Sequence, residues 1–187
     1  MRIISGVYKG RKILEPTDNL TRPLRDLVRE SIFNILEHSS LSNKKIFKST
    51  VLDLFSGCGS FGLECISRGA MKVIFVENYS KVLTILKKNI EKFNCTEQSR
   101  VVSLDIYLEQ KSEKLNEEFD FIFIDPPFKD EKFSKLIFNL KKNKIIKKKT
   151  VLIIHRHKNS FDDISSEINI LKENIYGKSK IIFACLY

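Results

Sequence analysis

At 187 residues, with 42% hydrophobic and 30% charged side chains, the chain is the size of one domain with a buried core. It has no apolar run long enough to span a bilayer, and its first residues, MRIISGVYKGRKILEP, carry neither a long apolar stretch nor a small-residue cleavage site, so the expectation is a cytoplasmic protein with no membrane partner. The formal net charge of +10 favours a polyanionic partner such as nucleic acid, but lysine outnumbers arginine 25 to 8, a bias that composition alone can produce.

In chain order, residues 1–16 alternate weakly around a Tyr8-Lys9-Gly10 turn and read as a β-hairpin. Thr21-Arg22-Pro23 then introduces a helix over 24–38, with Val28, Ile32, Ile35 and Leu36 at helical spacing. Residues 39–48 are a polar linker. The expected division is therefore an extension over 1–48 and a main domain over 49–187. From residue 51 onward, strands are predicted at 51–55, 72–76, 100–104, 119–124 and 151–155. Helices are predicted at 61–68, 80–93, 106–114 and 132–142. This alternation implies an α/β Rossmann-like fold, a parallel sheet with helices on both faces. Strands at 168–171 and 181–186, linked through Tyr176-Gly177, should pair antiparallel. The lysine run at 141–149 falls at the amino edge of the sheet and reads as a solvated surface. Cys58, Cys65, Cys95 and Cys185 show no CxxC spacing and read as reduced, mostly buried thiols.

The first strand of the main domain, Val51-Leu52-Asp53-Leu54-Phe55, runs into Ser56-Gly57-Cys58-Gly59-Ser60-Phe61-Gly62. Gly57, Gly59 and Gly62 spell G-x-G-x-x-G, with the acid Glu77 twenty residues beyond Gly57, which fits a dinucleotide fingerprint. Two features favour S-adenosylmethionine instead. Asp53 sits just before the turn, where it would repel a pyrophosphate but attract an ammonium. The motif also comes after fifty residues, whereas a dinucleotide motif usually opens its domain. Phe55, Ser56, Gly57 and Gly59 would line the turn. Glu77, closing the second strand, can accept from ribose hydroxyls. Asp105, closing the third, can accept from an adenine amine or cap the next element.

The apolar strand FDFIFI ends in Asp125-Pro126-Pro127-Phe128. Ligands of open α/β sheets bind at such carboxyl ends. Two prolines fix φ and stiffen the turn, although Asp-Pro is also a common turn pair. An amino group on a base is a poor nucleophile because its lone pair is delocalised into the ring. The Asp125 carboxylate and the Pro126 carbonyl could accept its two N–H bonds and free that lone pair, while Phe128 stacks on the base. No metal is required.

These residues resemble the amino-methyltransferases that carry an (Asp/Asn)-Pro-Pro-(Tyr/Phe) motif. Over its whole length the chain resembles the ribosomal RNA small-subunit methyltransferase D family. The match includes Met1 to Gly6, Lys9 to Lys12, Arg22-Pro23, Val28 to Leu36, Asp53, Gly57, Gly59, Glu77, Asp125 to Phe128 and Tyr176-Gly177. The resemblance implies a seven-stranded sheet with its last strand reversed. It also implies 16S ribosomal RNA, or the small ribosomal subunit, as partner and the guanine 2-amino group as methyl acceptor. Two positions depart from the family pattern. Leu24-Arg25 stand where threonines are usual, and His155-Arg156-His157 stand where an acid is usual. His155 and His157 share a strand face, but with no third ligand evident no metal is expected.

Arg2, Lys9, Arg11, Lys12, Arg22, Arg25 and Arg29 cluster near the start, and a grip on RNA phosphates is expected from them, Arg11 and Arg22 foremost. The target base should be in a loop or flipped out. The alternatives are a DNA adenine or cytosine amino-methyltransferase, which shares the four-residue motif, and a nucleic-acid-binding module without catalysis.

Overall fold

The structure is a computed structural model that describes residues 1–16, 24–41, 43–108 and 113–187. Four apolar segments set its centre: β1 (Thr50–Leu54), β2 (Lys72–Glu77), β4 (Phe121–Ile124) and β5 (Val151–His157). They are buried on both faces, so their sequences run as continuous hydrophobic stretches rather than alternating. With β3 (Ser99–Ser103), β6 (Asn169–Tyr176) and β7 (Ser179–Cys185) they form one sheet in the order β3-β2-β1-β4-β5-β7-β6. Strands β1 to β5 run parallel, and β7 runs antiparallel to both of its neighbours. The fold is the expected Rossmann-like α/β sheet of seven strands with its last strand reversed.

Helices cover both faces. Helices α1 (Asp26–His38), α2 (Ser60–Ser67) and α3 (Ser80–Lys92) supply Val28, Ile32, Phe33, Phe61, Leu63, Leu86 and Ile90 to one side. On the other side α4 (Phe133–Lys142) supplies Phe133, Leu136, Ile137 and Leu140. Ile3 and Ile13 from the N-terminal segment join the core on the α1–α3 side. That segment is a minimal hairpin with a single antiparallel bridge between Arg2 and Lys12. At its turn Gly6 adopts φ +81°, and a Cβ there would lie 1.8 Å from the Ser67 carbonyl oxygen, so only glycine fits.

The helix expected over 106–114 falls partly outside the described residues. Over 106–114 the described residues show a turn and then a short 3-10 segment, Glu113–Leu115, while 109–112 lie outside the described residues. Among the described residues of this stretch, Ile106 and Leu115 are buried and Leu108 is exposed. The Tyr176-Gly177 link does close an antiparallel pair, but β6 runs on to Tyr176, past the expected 168–171. All four cysteines are free thiols, three of them buried, and burial pushes Cys58 up to about 11. Among the described residues, no helix is long and apolar enough to cross a membrane.

Candidate active site

Sheet register places the candidate residues on one edge. Leu54 pairs with Val76 on one side and Ile124 on the other, and Ile124 pairs with Ile154. The residues that follow, Phe55, Glu77, Asp125 and His155, therefore emerge together at the carboxyl ends of β1, β2, β4 and β5. This is where an open α/β sheet binds its ligands.

The turn after β1 is tight and strained. Phe55 adopts φ +61°, a left-handed conformation costly for an aromatic residue, and Gly57 and Gly59 follow at +55° and +87°. Ser56 anchors the turn by donating from its backbone N–H and its hydroxyl to the Val76 carbonyl, at 3.0 and 3.2 Å. Gly59 has a packing reason as well: a Cβ there would meet Leu86 at 2.5 Å.

Asp53 points into the space beside this turn. It is 1% exposed, and its Oδ2 accepts from the Gly62 N–H in the first turn of α2 at 3.0 Å. Its Oδ1 is buried with no hydrogen-bond partner among the described residues. Burial pushes this carboxyl well above the ordinary carboxylate range. The charges of Asp125 and Glu77 push the same way, and the Gly62 N–H opposes them. An unpartnered, buried carboxylate oxygen suits an incoming cation, which the ammonium of S-adenosylmethionine provides and a pyrophosphate does not.

Glu77 is held in place by backbone. Its Oε2 accepts from Gly57 at 2.8 Å, and its Oε1 accepts from Asn78 and Tyr79, both at 2.9 Å. Of roughly four lone-pair positions on a carboxylate this leaves about one, on Oε2, for a ligand hydroxyl. Asp105 accepts from the Tyr107 N–H at 2.9 Å, so it caps a turn rather than a helix. Tyr107 in turn lies against Phe55, with ring centroids 5.7 Å apart.

The Asp125-Pro126-Pro127-Phe128 turn is braced from β5. Arg156, 2% exposed, forks onto Asp162 at 2.8 and 2.9 Å. It also donates to the carbonyls of Pro127 at 3.3 Å and Asp130 at 2.6 Å. On the opposite face of the same strand His155 Nδ1 lies 2.7 Å from Asp125 Oδ1. Phe128 meets His155 and His157 edge-on, at 5.1 and 5.4 Å between centroids. Below Asp125 the rings of Phe33, Phe61 and Phe123 stack, at 5.2 and 4.1 Å, and give the site a rigid apolar floor.

The basic residues near the start are not all placed at this edge. Arg11 donates to the carbonyl of Lys92 and lies over the rings of Tyr8 and Phe93, at 5.1 and 4.6 Å. Because α3 returns from the carboxyl ends of the strands, Lys92 lies at the far edge of the sheet, and Arg11 and Lys9 flank that end. Arg2 donates to the Gly10 carbonyl at 2.8 Å. Arg25 is exposed just before α1, and Arg22 lies outside the described residues. Arg29 is wholly buried and serves the core, not a surface. The bracing residues His155 and Arg156, with Ser179 Oγ 2.8 Å from His155 Nε2, are the ones to which sequence reasoning gave no such role. The signal for Arg156 was a charged residue inside an apolar strand, which needs buried partners.

Residues 1–185 match the family described as Conserved hypothetical protein 95. The chain belongs to this family. Its relatives include Ribosomal RNA small subunit methyltransferase D of Buchnera aphidicola subsp. Baizongia pistaciae, 36% identical over 100% of this chain and 91% of that protein. The protein of the same name in Haemophilus influenzae is 34% identical over 95% of this chain and 89% of that one. Among solved structures, yhhF from Escherichia coli superposes with a TM-score of 0.81 at 25% identity, covering 100% of this chain and 97% of that one. The SAH-bound methyltransferase PaMTH1 of Podospora anserina shares the fold alone, with a TM-score of 0.59 at 11% identity over 74% and 72% of the two chains. Membership of the family thus extends over the hairpin, the glycine turn and the Asp-Pro-Pro-Phe turn alike.

Proposed function

We propose that this protein transfers a methyl group from S-adenosylmethionine to the exocyclic 2-amino group of a guanine in 16S ribosomal RNA. One observation carries the reading. Two acids, Asp53 and Asp125, stand at the carboxyl ends of adjacent strands, and neither has a lysine or arginine ion pair among the described residues. The relatives named Ribosomal RNA small subunit methyltransferase D support the ribosomal substrate. Such a substrate would be met in the cytoplasm.

When bound, S-adenosylmethionine supplies a methyl group activated on a sulfonium. Asp53 holds the ammonium, the Phe55-Ser56-Gly57 turn with Gly59 lets the backbone approach closely, Glu77 accepts a ribose hydroxyl and Asp105 the adenine amine. Asp125 and the Pro126 carbonyl accept the two N–H bonds of the base, so that its lone pair leaves the ring plane. Pro127, tied through its carbonyl to Arg156, keeps that turn from swinging. Phe128 stacks on the base and excludes water. After transfer the nitrogen is cationic, and Asp125 takes its proton. The rate gain comes from alignment and fixed dipoles.

RNA phosphates are assigned to Arg22 and Arg25, which precede α1 in the sequence, and to Arg2, Lys9 and Arg11 along the hairpin. Purified protein offered labelled cofactor with small ribosomal subunits, naked 16S RNA or duplex DNA tests the assignment. Label on a guanine 2-amino group of the ribosomal RNA is the expected result. Label on DNA alone would place the protein among the DNA amino-methyltransferases instead.

A further inference from the structure

The edge of the site holds a chain of three polar side chains. Ser179 Oγ lies 2.8 Å from His155 Nε2, and His155 Nδ1 lies 2.7 Å from Asp125 Oδ1. His155 and Ser179 are 6% and 8% exposed, while the Asp125 side chain keeps 21% of its surface open. Water therefore reaches the acid but hardly the imidazole. The register that pairs Ile124 with Ile154 sets His155 beside Asp125, and β7 brings Ser179 up from the far side.

The donor and acceptor inventory fixes the direction of the chain. A carboxylate only accepts, so the hydrogen shared with Asp125 belongs to His155 Nδ1. A neutral ring then has a bare Nε2, which accepts from the Ser179 hydroxyl. We infer that His155 is a positioning residue for the methyl-transfer reaction: its Nδ1–H takes Asp125 Oδ1, fixes the plane of the carboxylate and leaves Oδ2 to the amino group of the base. Ser179 holds the ring in the tautomer that does this. The inference rests on the reading of Asp125 as the acceptor of the base's N–H. It adds a residue to the site that the Asp-Pro-Pro-Phe motif does not contain. The edge-on contact of Phe128 with the same ring means that one imidazole orients both the acid and the stacking aromatic.

The test is steady-state kinetics of the full chain on small-subunit RNA, with three replacements of His155. Asparagine places its amide nitrogen near the Nδ1 position, glutamine places it near Nε2, and leucine has no donor. His155→Asn should keep kcat within about threefold, whereas His155→Gln and His155→Leu should lose about 30-fold or more, because a misoriented acid loses its role in the transition state. KM for both substrates should stay within about twofold in all three, and Ser179→Ala should lose about fivefold in kcat. A purely structural role would make asparagine and glutamine equal or put the loss in KM, and either result would overturn the inference. Nitrogen-15 NMR of the histidine rings reads the same point without activity, with a proton on His155 Nδ1 as the expected result. A bare Nδ1 in a protein that methylates RNA would sink the inference alone. An unaltered protein that transfers no methyl group to ribosomal RNA would sink the reading of the site beneath it.

Discussion

Two buried carboxylates on the same side of the sheet are treated in opposite ways. Glu64, on α2, is wholly buried and fully engaged. It accepts from the backbone N–H groups of Ile4 and Ser5 at 2.8 and 2.9 Å and from Arg68 Nε at 2.8 Å, with the Arg29 guanidinium 3.9 Å away. Asp53, at the end of β1, is as deeply buried but takes one backbone N–H and, among the described residues, has no donor to its other oxygen. Glu64 is a rivet that fastens the N-terminal hairpin to α2. Asp53 is a socket. The donors to Glu64 all come from its own chain and tie the fold together, while the oxygen that Asp53 leaves without a donor is the one offered to a ligand.

The comparison can be broken at several points. The largest effect should come from Asp125→Ala, which removes an acid of the socket kind. We expect kcat to fall by about 10³-fold with cofactor affinity nearly kept, because one transition-state acceptor is lost. Isothermal titration beside single-turnover transfer separates the two, and an equal loss of cofactor binding would remove Asp125 from the reaction. Next is Glu64→Ala, which leaves the part-buried N–H groups of Ile4 and Ser5 without their acceptor and takes one of two carboxylate partners from the buried Arg29, which keeps Asp26. It should cost about 3 kcal/mol in denaturant unfolding. Cofactor affinity of the folded fraction should not change.

Asp53→Asn should do the reverse. It should weaken cofactor binding by about 30-fold, the cost of removing one charge-assisted bond, and should not destabilise the unliganded protein at neutral pH. The sign follows from linkage. The folded state holds the Asp53 proton at a pH where the unfolded chain has lost it. Stability from this group is therefore complete below the ordinary carboxylate value and declines as pH rises toward the raised folded value. Unfolding curves across that window should show the decline in the natural protein and lose it in Asp53→Asn. The smallest effect lies on the surface. Arg25→Ala should lower the slope of log affinity against log salt by about one. Arg11→Ala should lower it less, since that guanidinium already serves the Lys92 carbonyl and two rings.

Much of this was legible before any coordinates. The apolar runs VLDL, KVIFV and FIFI sit between turn residues, so their strand character and burial follow from pattern alone. The glycine turn and the acids at strand ends followed from the same reading. What was not legible is what neighbouring strands do to each other. The Asp125–His155 bond depends on register, and a slip of one residue would send His155 to the other face and Arg156 to the acid. Nothing local in His155-Arg156-His157 states that register. The described ends of the helix expected over 106–114, a turn at 106–108 and the 3-10 segment Glu113–Leu115, differ from that expectation for a complementary reason. Composition there permits a helix, but among the described residues Leu108 is exposed and does not tie the stretch to the sheet.

The most direct measurement is mass mapping of 16S ribosomal RNA from cells that lack this protein, complemented with the natural gene or with Asp125→Ala. One guanine should lose its N2-methyl group in the deletion, regain it with the natural gene and stay unmodified with Asp125→Ala. An unchanged methylation map in the deletion, or full restoration by Asp125→Ala, would contradict the claim that this carboxylate at the end of β4 carries methyl transfer to ribosomal RNA.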